Sequence, residues 1–176
     1  MTPPNPAPIP LDLMEQQRLA ELKRLLVMDS SEETAFNDLT RMAADLMGTP
    51  IALISLVDES RQWFKARVGL QAQQTPREYA FCAHAIASPT EVMVVNDASA
   101  DERFAQNPLV VGHPNIRFYA GAPLITNGGE PIGTLCIIDT QPREIVASDM
   151  ETLQFLARQV MALLERRAAE LRSAEG

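Results

Sequence analysis

Cysteine is scarce in this sequence: Cys82 and Cys136 are the two in 176 residues. Two isolated thiols exclude a disulfide-stapled scaffold and fit a reducing cytosol. Taken with His84 and His113 they match no compact zinc-ligand spacing, so no metal is expected. Basic charge is also short. Fifteen Lys and Arg face 23 Asp and Glu, for a net charge of −8. That balance argues against non-specific binding of nucleic acid or anionic membranes. No apolar run reaches the ~18 residues that span a bilayer, and the proline-rich start is no signal peptide. The expectation is a soluble cytoplasmic protein. Catalytic signatures are missing too: there is no phosphate-cradling glycine loop followed by lysine, no HExxH and no GxSxG.

What is present is enough for one domain with its own core. Residues 1–10, MTPPNPAPIP, hold five prolines and read, with residue 11, as a disordered tail. Asp12 and Glu15 open a helix expected to run to about Val27, with Leu19, Leu22, Leu25 and Leu26 as its apolar stripe. Ser30 and Glu33 repeat the capping signal. The next helix carries Phe36, Leu39, Ala43 and Leu46 and stops at Gly48. Ile51–Val57 is apolar on both faces and reads as a central strand. Arg61–Val68 alternates, with Phe64, Ala66 and Val68 on one face and Trp63, Lys65 and Arg67 on the other. Residues 69–78 read as a loop, Thr75-Pro76 as a cap and first turn, and Pro76 to about Ala87 as a short helix. Glu91–Asn96 is a third strand. Asp101 is a possible cap for one helical turn, and 106–115 reads as irregular.

The strongest local signal is Ile116–Asp139. Phe118–Thr126 and Ile132–Ile138 are apolar strands joined by Asn127-Gly128-Gly129, residues that tolerate the positive φ of a hairpin turn. Ile132, Cys136 and Ile138 share one face by period two, and Leu135 and Ile137 the other. Ser148 and Glu151 cap a last helix reaching Leu171, with Leu153, Val160, Leu164 and Leu171 in its stripe. Residues 173–176 read as a tail. The order predicts an α+β fold: a central antiparallel sheet of five to six strands, N- and C-terminal helices on one face, and a loop and short-helix pocket on the other.

FYAGAPL, the glycine turn and PIGTLCIID together resemble the central hairpin of a GAF domain, a sensor module of bacterial signalling proteins. The resemblance extends through PIALISLVDESRQWFKARVGL, FCAHAI and VVNDASADERFAQNPLV. It covers about residues 36–164 of a domain placed at 12–172. It implies a ligand pocket closed by residues 76–119 and terminal helices paired in a dimer. The pocket candidates are Trp63, Phe81, Cys82, His84, Asp97, Asp101, Arg103, Phe104, Phe118 and Tyr119. The dimer candidates are Leu22, Leu25, Leu26, Leu153, Val160, Leu164 and Leu171.

Each candidate has a plainer role. Cys82 and His84 could form a nucleophilic pair or tether a tetrapyrrole; a buried small thiol beside Phe81 and Ile86 is the simpler reading. Bilin-binding relatives place their chromophore cysteine next to a histidine, and no such pair occurs in 98–115. GAF-type reductases of free methionine sulfoxide use several pocket cysteines, and this chain has too few. Asp97, Asp101 and Glu102 suit turns and caps better than acid–base work. Arg103 and Arg117 could meet a ligand phosphate or pair on the surface. The rings could stack on a flat ligand or fill the core.

The expectation is therefore a regulatory domain rather than an enzyme. It would bind an unidentified small molecule and signal through a homodimer, with a kinase or cyclase as a possible downstream partner. The alternatives are a ligand-free dimerisation or structural module and, less favoured, a thiol-based enzyme of the free-methionine-sulfoxide-reductase type or a tetrapyrrole-binding photoreceptor. Whether the chain stands alone or is the sensor end of a longer protein is not written in its residues, and no cofactor is identified.

Overall fold

The computed structural model describes residues 11–175; the proline-rich segment 1–10 lies outside them. Helices α1 (Leu11–Arg24) and α2 (Thr34–Met47) lead into strands β1 (Ile51–Val57) and β2 (Arg61–Val68). Then come β3 (Gln74–Pro76), α3 (Phe81–Ala85), β4 (Met93–Val95) and α4 (Pro108–Val111). The hairpin β5 (Phe118–Ile125) and β6 (Pro131–Asp139) precedes the long helix α5 (Ala147–Glu175). The six strands form one antiparallel sheet in the order β3-β2-β1-β6-β5-β4. This is the predicted α+β architecture.

β1 is buried along its whole length, as a strand apolar on both faces must be. Its neighbours are β2 and β6, of 8 and 9 residues. The hairpin turn is closed by Thr126 N–H donating to the Glu130 carbonyl at 2.9 Å, with Gly129 at φ +85°. On one face α1, α2 and α5 bury Leu22, Leu25, Phe36, Leu153, Val160 and Leu164 against Ile54, Leu56, Leu135 and Ile137. The opposite face carries Phe81, Phe104, Val110, Ile116 and Tyr119 over Ile51, Leu53, Cys136 and Ile138.

Two β-bulges reset the face assignments made by strict alternation. Ile54 pairs with Ala66 while Ser55 pairs with Phe64, so Lys65 is an extra residue. Phe64 consequently faces the pocket side, whereas Trp63, Ala66 and Val68 pack with the helices. Leu124 pairs with Gly133 and Ile125 with Pro131, which leaves Ile132 extra. Ile132 therefore joins Leu135 and Ile137 rather than Cys136 and Ile138. At this second bulge a Cβ on Gly133 would lie 1.9 Å from the Ser55 carbonyl oxygen, so only glycine lets β6 approach β1 there.

Several boundaries differ from expectation. α1 ends at Arg24, and Leu26 adopts φ +55° in the turn that follows. Residues 74–76 are an edge strand pairing with β2, not a helix cap. The helix expected over 76–87 shrinks to a 3-10 turn and the short α3. Asn107 caps α4 through Leu109 N–H, with Pro108 in its first turn, where irregular chain was expected. α5 runs past Leu171 to Glu175, so 173–175 is helical rather than a tail.

The dimer stripe needs correction as well. Leu22, Leu25, Leu153, Val160 and Leu164 are buried in this chain's own core and are not available to a partner. Of that set only Leu26 and Leu171 remain exposed. The apolar stripe was a sheet-facing stripe, because three helices must cover one wide sheet face.

Candidate functional site

A cavity of about 90 Å³, partly open to solvent, lies on the face opposite the long helices. Its floor is the sheet: Ile51 and Leu53 of β1, Phe64 of β2, Cys136 and Ile138 of β6, and Tyr119 of β5. Phe81 of α3 forms one wall. Leu70, Leu109 of α4 and the segment carrying His113, Pro114 and Ile116 close the rest. The polar contribution comes from Gln62 and Thr75, with His113 exposed at the rim.

Gln62 is held by a buried network. Its Oε1 accepts from the Ser55 hydroxyl at 2.7 Å and from the Cys82 thiol at 2.6 Å. Ser55 Oγ and Cys82 Sγ are 3.1 Å apart. Nε2 of Gln62 donates to Thr75 Oγ1 at 2.8 Å. With both acceptor directions of Oε1 taken, the amide has one orientation. Phe81 stacks on Phe104 with ring centroids 4.0 Å apart, and Tyr119 lies 5.2 Å from Phe81. The Tyr119 hydroxyl meets Thr134 Oγ1 at 3.1 Å. A Cβ on Gly121 would fall 2.3 Å from that hydroxyl, so the bare glycine makes room for the ring.

The ten pocket candidates divide sharply. Phe81 and Tyr119 line the cavity. Phe104 stands behind Phe81, and Cys82 behind Gln62. His84 is exposed, with its ring edge-on to Phe104 at 4.9 Å, and borders an outer cleft with Glu59 and Arg77. Asp97 caps the turn at 98–100 by accepting from Ser99 N–H. Asp101 accepts from Arg103 N–H and pairs with the Arg103 guanidinium at 2.8 Å. Trp63 and Phe118 pack on the helix side of the sheet. For Trp63 the bulge at Lys65 sets how its neighbours split between the faces; Phe118 simply has the opposite parity to Tyr119.

Neither thiol is chemically poised. Both are fully buried. Burial pushes Cys82 up to about 12 and raises Cys136 as well, with Cys82 nearby adding to the shift. The thiol forms are what the site holds at neutral pH. Partial desolvation of the ring packed on Phe104 lowers His84, and the Arg103 charge lowers it further against Asp101, which raises it. Among the described residues, no three His, Cys, Asp or Glu side chains gather as metal ligands. No described helix is long and apolar enough to cross a membrane.

The match to known proteins agrees with this architecture. The model of the GAF domain family matches residues 31–164. The chain belongs to the GAF domain family. A cyclic di-GMP phosphodiesterase of Pseudomonas aeruginosa is 44% identical over 162 residues, covering 92% of this chain and 26% of that protein. The chain thus spans about a quarter of that relative's length. The GAF domain of an Acinetobacter phosphoenolpyruvate-protein phosphotransferase superposes with TM-score 0.65 at 21% identity, covering 87% of this chain and 95% of that one. The free methionine-R-sulfoxide reductase of Neisseria meningitidis, solved with its substrate, gives 0.60 at 20% identity and 96% coverage of both. At such identities these two structures speak for the fold alone.

Sequence reasoning missed Gln62, Thr75 and the apolar floor. Ile51, Leu53, Cys136 and Ile138 were readable as one sheet face once the helix-facing set was assigned. Gln62 was the stronger clue: an amide flanked by apolar positions on a buried strand must find buried partners.

Proposed function

We propose that this GAF domain is a regulatory sensor that binds a small molecule in the cavity and passes occupancy to α5 within a homodimer. The observation that carries this reading is the largely apolar, partly open cavity on the sheet face opposite α5. β1, β2 and β6 serve as cavity floor on one side and as the bed of the helices on the other. A ligand that favours one arrangement of those strands biases the helices to the extent of its differential affinity. The buried, protonated thiols support a binding role over a catalytic one. The phosphodiesterase relative suggests the output class: an effector of cyclic di-GMP turnover that such a domain would regulate.

The dimer would use the exposed apolar side chains left by the core, among them Leu46 at 60% and Phe155 at 52% exposure, with Met42 and Leu171. Native mass spectrometry of the purified protein tests both parts. A dimer carrying non-covalent mass supports the proposal. A monomer that stays monomeric at micromolar concentration contradicts the dimer. A second reading, a dimerisation module that fills its own pocket, is favoured by the stacked Phe81 and Phe104 occupying space beside the cavity. It predicts a bare dimer that no small molecule stabilises.

A further inference from the structure

The cavity's size, charge and hydrogen-bonding pattern together define a ligand class, given the reading of this cavity as a ligand site. At about 90 Å³ it falls short of the ~150 Å³ apolar cavity that accepts benzene, but it is partly open to solvent, so the upper limit is one small ring with its edge at the mouth. The volume is far below the ~300–1,000 Å³ of pockets for drug-sized ligands. No Asp, Glu, Lys or Arg lines it. Arg103 is paired with Asp101, and Arg117 donates to the carbonyls of Val110 and Ile116 at 3.0 and 2.9 Å. A nucleotide or carboxylate would therefore be buried without a countercharge.

The polar groups that do border the cavity point to an acceptor on the ligand. Oε1 of Gln62 is fully used by Ser55 and Cys82, and Nε2 gives one hydrogen to Thr75. Among the described residues, the second Nε2 hydrogen and the Thr75 hydroxyl hydrogen have no acceptor. Both residues border the cavity. We infer that the cavity takes a compact, uncharged, largely apolar molecule of about one small ring, bearing a single oxygen acceptor held by Gln62 and Thr75.

Thermal unfolding of the whole chain with four probes tests this: phenol, its near-isostere fluorobenzene, benzoate and cyclic GMP. The expected result is a rise of about 3–6 °C for phenol at roughly ten times its dissociation constant. Fluorobenzene should give a smaller rise, and the two anions none. Thr75→Val should bring phenol down to the level of fluorobenzene. Ile51→Phe, or Leu70→Phe if the first variant folds poorly, fills the cavity and should abolish both shifts.

Three results overturn the inference: no stabilisation by either neutral probe, phenol binding undiminished in both folded filling variants, or preferential stabilisation by benzoate or cyclic GMP. The last, if lost on filling the cavity, would leave the sensor reading intact with a different ligand. Phenol binding that leaves α5 unchanged in hydrogen exchange would do the reverse, sinking the sensor reading while the ligand class stands.

Discussion

The ammonium of Lys65 lies 2.5 Å from Oε2 of Glu33, and none of the lysine side chain is exposed. The same carboxylate oxygen accepts from Arg167 Nε of α5 at 2.7 Å. Lys65 also donates to Ser30 Oγ and to the Ser31 carbonyl, and sits over the Phe36 ring. The β2 bulge that turns Phe64 toward the cavity is thereby tied through Glu33 to α5. Removing the acceptor alone strands a buried cation. Glu33→Ala should cost about 2–3 kcal/mol, the lower range for breaking such a pair because Glu33 is partly exposed. Lys65→Met, which removes the charge and keeps the packing, should lie within about 1 kcal/mol of wild type. Urea titration of both variants checks this; equal losses would contradict it.

Acid should weaken the fold through its paired carboxylates. Arg18 hydrogen bonds hold Glu15 down to about 2, against opposing burial and with help from Arg77. Arg24 hydrogen bonds do the same for Glu21, with Thr126 adding to them. For Glu33, burial pulls upward but Lys65 and Arg167 outweigh it. Each folded value lies below the unfolded one, so the unfolded chain binds more protons as pH falls. This stability is fully present above about pH 4.5 and is lost progressively toward about pH 2. Melting temperatures measured across that window should fall, and Glu15→Gln should start lower and fall less steeply.

Both thiols should be silent in the folded protein. With Cys82 near 12 and Cys136 also raised, and neither exposed, iodoacetamide at pH 8 should leave the mass unchanged. The same reagent in concentrated urea should add two carbamidomethyl groups. Rapid native labelling at Cys82 would revive a thiol-based reaction.

Gly133 allows β6 to lie against β1 where Ile132 bulges. Gly133→Ala must displace the Ser55 carbonyl, in the same strand whose side chain orients Gln62. A loss of about 3 kcal/mol or more is expected. Circular dichroism melting checks it, and a melting temperature matching wild type would refute the close-approach argument.

The sheet, its helix-covered face and the hairpin were legible because apolar periodicity and the Asn-Gly-Gly turn are local signals. The site was not, and the reason is specific. An extra residue at Lys65 inside β2 and another at Ile132 at the start of β6 shift the face parity, and nothing in period-two reading marks a bulge. Trp63 was therefore given to the wrong face. Thr75-Pro76 carries a good helix-start pattern, yet pairing with β2 and the bond from Gln62 keep it extended. The leucines assigned to a dimer were correctly seen as a stripe; only the three-dimensional count of helices over the sheet shows that the core uses them. Asn107-Pro108 is a local capping signal, masked by the prolines and glycines around it.

The most direct test of the account is hydrogen exchange, read by mass spectrometry, of the protein with and without saturating phenol. Exchange should slow in β2 and around Thr75, and it should also change in α5 around Arg167, on the far side of the sheet. Protection confined to the cavity lining, with α5 exchanging at its unliganded rate, would contradict a sensor that signals through that helix.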